Sequence, residues 1–73
     1  MIKAKIDRLE MSEQVLQSWE KMLEAGVLTV ENLSLARNEV SNLQAYRHQD
    51  PEWVDDLVRR YTAIADSLAS KVN

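Results

Sequence analysis

The 73-residue chain predicts an all-α fold, a three-helix antiparallel bundle made of a long N-terminal helix followed by a helical hairpin. Three observations carry that expectation. One glycine and one proline, Gly26 and Pro51, divide the chain into three stretches rich in helix-forming residues. Apolar residues recur at three- and four-residue spacing within these stretches, and nothing alternates with period two over a useful length. The connections left between them are short, and short helix-to-helix links make antiparallel neighbours. The expected helices span about 2–25, 30–47 and 51–71, in one domain covering 1–73, with no internal repeat.

In the first helix Ile2, Leu9, Leu16 and Leu23 recur every seven residues, a coiled-coil-like spacing, while Val15, Trp19 and Met22 widen the face in its second half. Glu13 and Glu20 continue the stripe of Ile2, Ile6 and Leu9, which suggests that the first ten residues pack differently from the rest. Ser12 is an alternative N-cap for a separate helix. Gly26 follows the last helical residues, where a left-handed C-cap is wanted. Val27 and Leu28 then bridge hydrophobically to the next element, for which Thr29 is the expected N-cap with Glu31 in the first turn.

The second helix carries Leu33, Ala36, Val40 and Leu43 on a narrow stripe, with Leu35 and Tyr46 at its margin and Glu39 and Asn32 close by. Arg47 and His48 stand at its C-terminal end, where positive charge suits the helix dipole. The third helix has the clearest start. Asp50 is a good N-cap, Pro51 occupies the first helical position at no cost in hydrogen bonds, and Glu52, Asp55 and Asp56 favour the positive end of the dipole. Trp53, Val54, Leu57, Val58, Tyr61, Ile64, Ala65, Leu68, Ala69 and Val72 fall within an arc of roughly 160° at helical spacing. A helix lying on one neighbour needs an arc of only about 100°. The third helix is therefore expected to meet two neighbours or a second chain. On its opposite face Asp55 with Arg59 and Asp56 with Arg60 have ion-pair spacing.

A chain this short buries only about 60% of the surface it exposes when unfolded. No cysteine is present, so neither a disulfide nor a thiolate metal site supplements the core. A homodimer, or a partner that completes the core, is the expected remedy. The net charge of −3 and the isoelectric point near 5.0 weigh against a general phosphate-binding surface. Met1-Ile2-Lys3-Ala4-Lys5 lacks the apolar run of a signal peptide, and no stretch is long and apolar enough for a membrane, so a cytoplasmic protein without membrane contact is expected.

Nothing in the sequence assembles a catalytic, cofactor or metal site. The single histidine, His48, lies among Arg47, Gln49 and Asp50 without the surroundings of a nucleophilic triad, and it reads as a solvated helix-end charge. The Glu-x-x-His pairs of di-iron bundles are absent, and one glycine rules out a glycine-rich phosphate loop. Glu10, Glu13, Glu20 and Glu24 read as a solvated face of the first helix. The expectation is a protein that is not an enzyme.

Nucleic-acid binding stands as one alternative. A helix-turn-helix built from the second and third helices would present Glu52, Asp55 and Asp56 to the phosphates. Arg47, Arg59 and Arg60, or Lys3, Lys5 and Arg8, could instead form a basic patch on a dimer, an arrangement analogous in architecture alone to the RNA-binding plasmid copy-number regulators of the Rop type. The favoured class is protein binding. Trp19, Tyr46, Trp53 and Tyr61 are the only aromatics, and Trp and Tyr are enriched at interface hot spots. Taken singly, each reads more readily as core with its polar edge at the rim. Trp53, at the edge of its stripe in the first turn, is the preferred exception. The candidate partner-binding set is Trp53, Leu57, Tyr61 and Ile64 with Trp19, flanked by Arg59 and Arg60.

These residues describe a non-enzymatic interaction module, an inhibitor or regulator of a larger protein machine. Its size, acidity and lack of motifs resemble those of small phage- and plasmid-encoded inhibitors. The run from Leu33 to Val72, with a helix rich in Leu, Arg and Asn, then Gln49-Asp50-Pro51, then an aliphatic helix, resembles the helical-hairpin co-chaperones of type III secretion needle subunits. That resemblance rests on helix-hairpin grammar and one Asp-Pro junction, and the long first helix departs from it. It implies, as a second alternative, an adaptor whose hairpin packs on a larger helical-repeat chaperone.

Overall fold

The computed structural model describes residues 4–72, and the described residues form helices joined by short turns, with no strand. Helix α1 spans Ala4–Ala25, α2 spans Val30–Leu43 and is extended by a 3₁₀ turn over Gln44–Tyr46, and α3 spans Pro51–Val72. Ile2 and Lys3 of the anticipated first helix lie outside the described residues, as do the side chains of Lys5, Ile6 and Val72. Contacts run from Glu13 and Trp53 to Glu20 and Arg60, so α1 and α3 are parallel, with α2 antiparallel to both. The bundle measures 43 × 18 × 18 Å.

Each junction follows from its local chemistry. Gly26 adopts φ +74°, and the hydrogen bonds Gly26 N–H to Leu23 O and Val27 N–H to Met22 O, both 3.0 Å, close a Schellman cap on α1. Thr29 is extended at φ −117°, ψ 173°, and its backbone N–H donates to Asn32 Oδ1 at 3.2 Å. That bond satisfies the N-terminal edge of α2. At its far end α2 tightens, and Gln44 Nε2 donates to Val40 O at 3.2 Å. The helix predicted to reach residue 47 thus ends its α-helical part at Leu43, with the last turn wound as 3₁₀, a common way to close a helix end. Asp50 Oδ1 accepts from Trp53 N–H at 3.2 Å, the expected cap on α3.

The core lies along α3. Val54, Leu57, Tyr61, Ile64, Ala65 and Leu68 are buried there, and the wide stripe meets both other helices. Against it α2 brings buried Ala36 and Leu43 with half-buried Leu33 and Val40, and this is the most extensive helix contact. Helix α1 brings Leu9 and Leu16, with Leu23, Trp19 and Met22 half-buried. Leu28 is buried under the α1–α2 turn, whereas Val27 is exposed. Ser12 starts no second helix. It lies inside α1, is buried, and faces Tyr61.

Gly26 has open space where a Cβ would stand, so a side chain there meets only the backbone penalty of a left-handed residue. Gly26→Ala is expected to lower the unfolding free energy by about 1 kcal/mol, and Gly26→Asn by less, because Asn tolerates that conformation better. Urea denaturation of the two variants checks this; equal losses would contradict it.

Candidate interaction surface

The α1–α3 seam is polar along one edge. Arg60, in the middle of α3, donates from Nε and Nη2 to the two oxygens of Glu20, both at 3.0 Å, and from Nη1 to Glu13 and Asp56, both at 2.9 Å. The second oxygen of Glu13 accepts from Trp53 Nε1 at 3.0 Å. One carboxylate of α1 therefore joins two side chains of α3. The Trp53 indole, followed by the Arg60 guanidinium, holds the Glu13 carboxyl below its ordinary value. Arg60 is in turn raised, first by its bonds to Glu20.

Beneath that edge Tyr61 is fastened from two sides. Its hydroxyl donates to the backbone carbonyl of Ser12 at 2.7 Å and accepts from Ser12 Oγ at 3.3 Å. Trp19 meets its ring edge-on, with centroids 5.7 Å apart. Burial pushes the phenol up from its usual value. Across the other flank of α1, Arg8 makes a two-pronged bond to Glu39 of α2, at 2.7 and 2.8 Å, and lies over the Tyr46 ring at 6.0 Å. The Arg8 bonds hold the Glu39 carboxyl below its ordinary value.

Helices α1 and α2 both pack on α3 but approach each other little, and an open groove of about 250 Å³ remains between them. Tyr61 and Trp19 line its floor, Met11 and Val15 form one wall, and Leu35 forms the other, with the Arg8–Glu39 pair at one end. Met11 is 62% exposed, Leu35 52% and Val15 44%. A second depression of about 400 Å³, lined by Glu20, Leu23, Glu24, Arg60, Ala63, Ile64 and Ser67, is shallower in apolar character and belongs to the ion-pair edge.

The residues anticipated for partner binding are placed differently. Leu57, Tyr61 and Ile64 are buried within the chain itself, so they offer a partner no free surface in this state. Trp53 does not project past its neighbour; it is half-buried and bonded to Glu13. Trp19 is half-buried and contributes to the groove. Arg60 is committed to three carboxylates, and Arg59 pairs with Asp56. The expected Asp56–Arg60 pair forms, whereas Asp55 pairs with Arg47 of the interhelix turn rather than with Arg59. Glu10 and Glu24 are exposed as anticipated, but Glu13 and Glu20 are drawn into the seam by Arg60. Sequence reasoning passed over Met11 altogether and left Val15 and Leu35 at the margins of their stripes. The signal available was an apolar residue on each helix outside the α3-facing arc. Among the described residues there is no group of three or more metal-ligating side chains and no helix long and apolar enough to cross a membrane.

Compared with protein-family models, curated proteins and solved structures, the chain matches none.

Two measurements test these interhelical contacts. Glu13 and Glu39 have lowered values in the folded chain, so the stability they contribute is present above the ordinary carboxylate range and lost as pH falls through the lowered values. Unfolding free energy is therefore expected to fall between neutral pH and about pH 3, with a flatter dependence in Glu39→Gln. Tyr61→Phe, which removes the bonds to Ser12, is expected to cost about 1 kcal/mol at unchanged denaturant m-value. An unchanged urea midpoint would remove the hydroxyl from the account of how α1 is held.

Proposed function

We propose that the chain is a non-enzymatic protein-binding module, of the inhibitor, regulator or adaptor kind, and that its binding surface is the groove between α1 and α2. The observation that carries this reading is the concentration of Met11, Val15 and Leu35, each more than two-fifths exposed, on the walls of one groove floored by Trp19 and Tyr61. Methionine and aromatic side chains are enriched in the cores of protein interfaces, and charged residues are depleted there. Here the charged pair at the groove, Arg8 with Glu39, is already neutralised within the chain.

The pairing of the arginines favours protein over nucleic acid as the partner. Arg8, Arg47, Arg59 and Arg60 all hold carboxylates of this chain, so releasing them onto phosphates would break existing ion pairs. An acidic chain with four of its five guanidiniums so occupied has little to gain from a polyanion.

Affinity capture from the source cell with a tagged chain tests the reading. The expected result is a protein retained by the wild type and by Val27→Glu, a change at an equally exposed apolar residue off the groove, but lost with Met11→Glu and Leu35→Glu. Retention indifferent to all three substitutions would overturn it, and so would retention of nothing at all.

A further inference from the structure

We infer that α1 is an acid-released strap, which leaves the bundle as a unit about a hinge at residues 26–29 while the α2–α3 hairpin stays closed. The inference is independent of what the groove binds. Because α1 supplies one wall of that groove, its release also dismantles the groove.

The distribution of the polar contacts carries it. Among the described residues, every side-chain hydrogen bond between helices has α1 on one side. Arg8 is bonded to Glu39 of α2, and Ser12, Glu13 and Glu20 are bonded to Tyr61, Trp53 and Arg60 of α3. Helices α2 and α3 are joined by none among those residues. Their contact is apolar, with Ala36 and Leu43 against the α3 stripe, and it is the more extensive of the two that α3 makes. On that side the Arg47–Asp55 pair ties the interhelix turn to α3, with both side chains about half exposed. Asp50 and Glu52 act in the first turn of α3 and not between helices.

Acid therefore acts on one contact and spares the other. A protonated carboxyl no longer attracts a guanidinium. Glu13 faces Trp53 and Arg60 of α3, with Asp56 sharing that guanidinium and Gln17 beside it on α1. Glu39 faces Arg8 and Ser12 of α1, with Tyr61 near it and Tyr46 under Arg8. Both carboxyls lie below their ordinary value while α1 is docked, so undocking takes up protons. The docked state is favoured at neutral pH and loses that advantage as pH falls through the lowered values. The Tyr61–Ser12 bonds are neutral and hold equally at either pH.

Release strands little on the hairpin. Arg60 keeps Asp56, four residues earlier on its own helix. Over its described side chains α1 has Leu9, Ser12 and Leu16 buried, against six buried apolar residues on α3 alone. Segments with few buried contacts are the ones that open below the cost of global unfolding. The link is suited to turning, since Gly26 has open space around it and residues 27–29 belong to no helix.

Amide hydrogen exchange of the full chain, read residue by residue as protection relative to an unstructured chain, is the test. Between neutral pH and about pH 3, protection at Leu16 and Trp19 is expected to fall at least about tenfold more than at Val40 and Leu57. Glu13→Gln combined with Glu39→Gln removes both titrating groups and is expected to shrink that difference at least about threefold. Asp55→Asn, which alters the one pair on the hairpin side, is expected to leave it within about twofold. Loss at Val40 and Leu57 equal to or greater than that in α1 overturns the inference, because the hairpin then opens with the strap or before it. Protection of α1 that persists to about pH 3 overturns it too, as does a difference that the double substitution leaves in place.

Discussion

Two helices share one apolar face, and most of the architecture follows from how they divide it. Helix α3 carries a stripe too wide for one neighbour, and both α1 and α2 pack on it while approaching each other little. Burying a large aliphatic side chain contributes about 1.5–3 kcal/mol, so Leu9 and Leu16 from one side and Leu43 from the other outweigh any single polar contact in the bundle. The divided face also leaves a gap on the side away from α3. The groove is the remainder of an arrangement in which each outer helix is satisfied by the central one.

The polar contacts have a different task, which is to set where α1 lies. A seam of leucines repeating every seven residues would allow α1 to slide or rotate, since one apolar residue replaces another at small cost. Arg60 between Glu13 and Glu20, Trp53 on Glu13, and Tyr61 on the Ser12 carbonyl each demand one register. Partly exposed ion pairs contribute only a few tenths to about 1 kcal/mol. Their geometry, with Arg60 reaching two carboxylates seven residues apart on α1, is nevertheless incompatible with a displaced helix. Arg8 on Glu39 adds the same constraint from α2 and keeps the end of the groove neutral.

The local signals in the sequence were strong, and they carried the helices. Gly26, Thr29 and Asp50-Pro51 each mark a helix end through backbone chemistry that needs no knowledge of the rest of the chain, and the structure places caps at all three. The α3 stripe was equally legible because helical periodicity is a property of one element. What could not be read was which residues meet across elements. Glu13 and Glu20 looked like interruptions of a heptad or members of a solvated face, since the guanidinium that accounts for them lies forty residues away in sequence from Glu20. Trp53 looked available for the same reason, its acceptor being on another helix. Leu35 and Met11 carried a weak signal in the opposite sense: apolar residues off the main stripe are common, and only the spacing between α1 and α2 brings them to one groove.

The placement of the two tryptophans has a spectroscopic consequence. Trp19 belongs to α1 and rests against Tyr61 of α3, and Trp53 belongs to α3 and is tied to Glu13 of α1. Both indoles therefore report on the same seam, and α2 contributes none. Their emission follows the docking of the first helix, so this small chain carries a built-in optical label for the α1–α3 contact and no indole on α2.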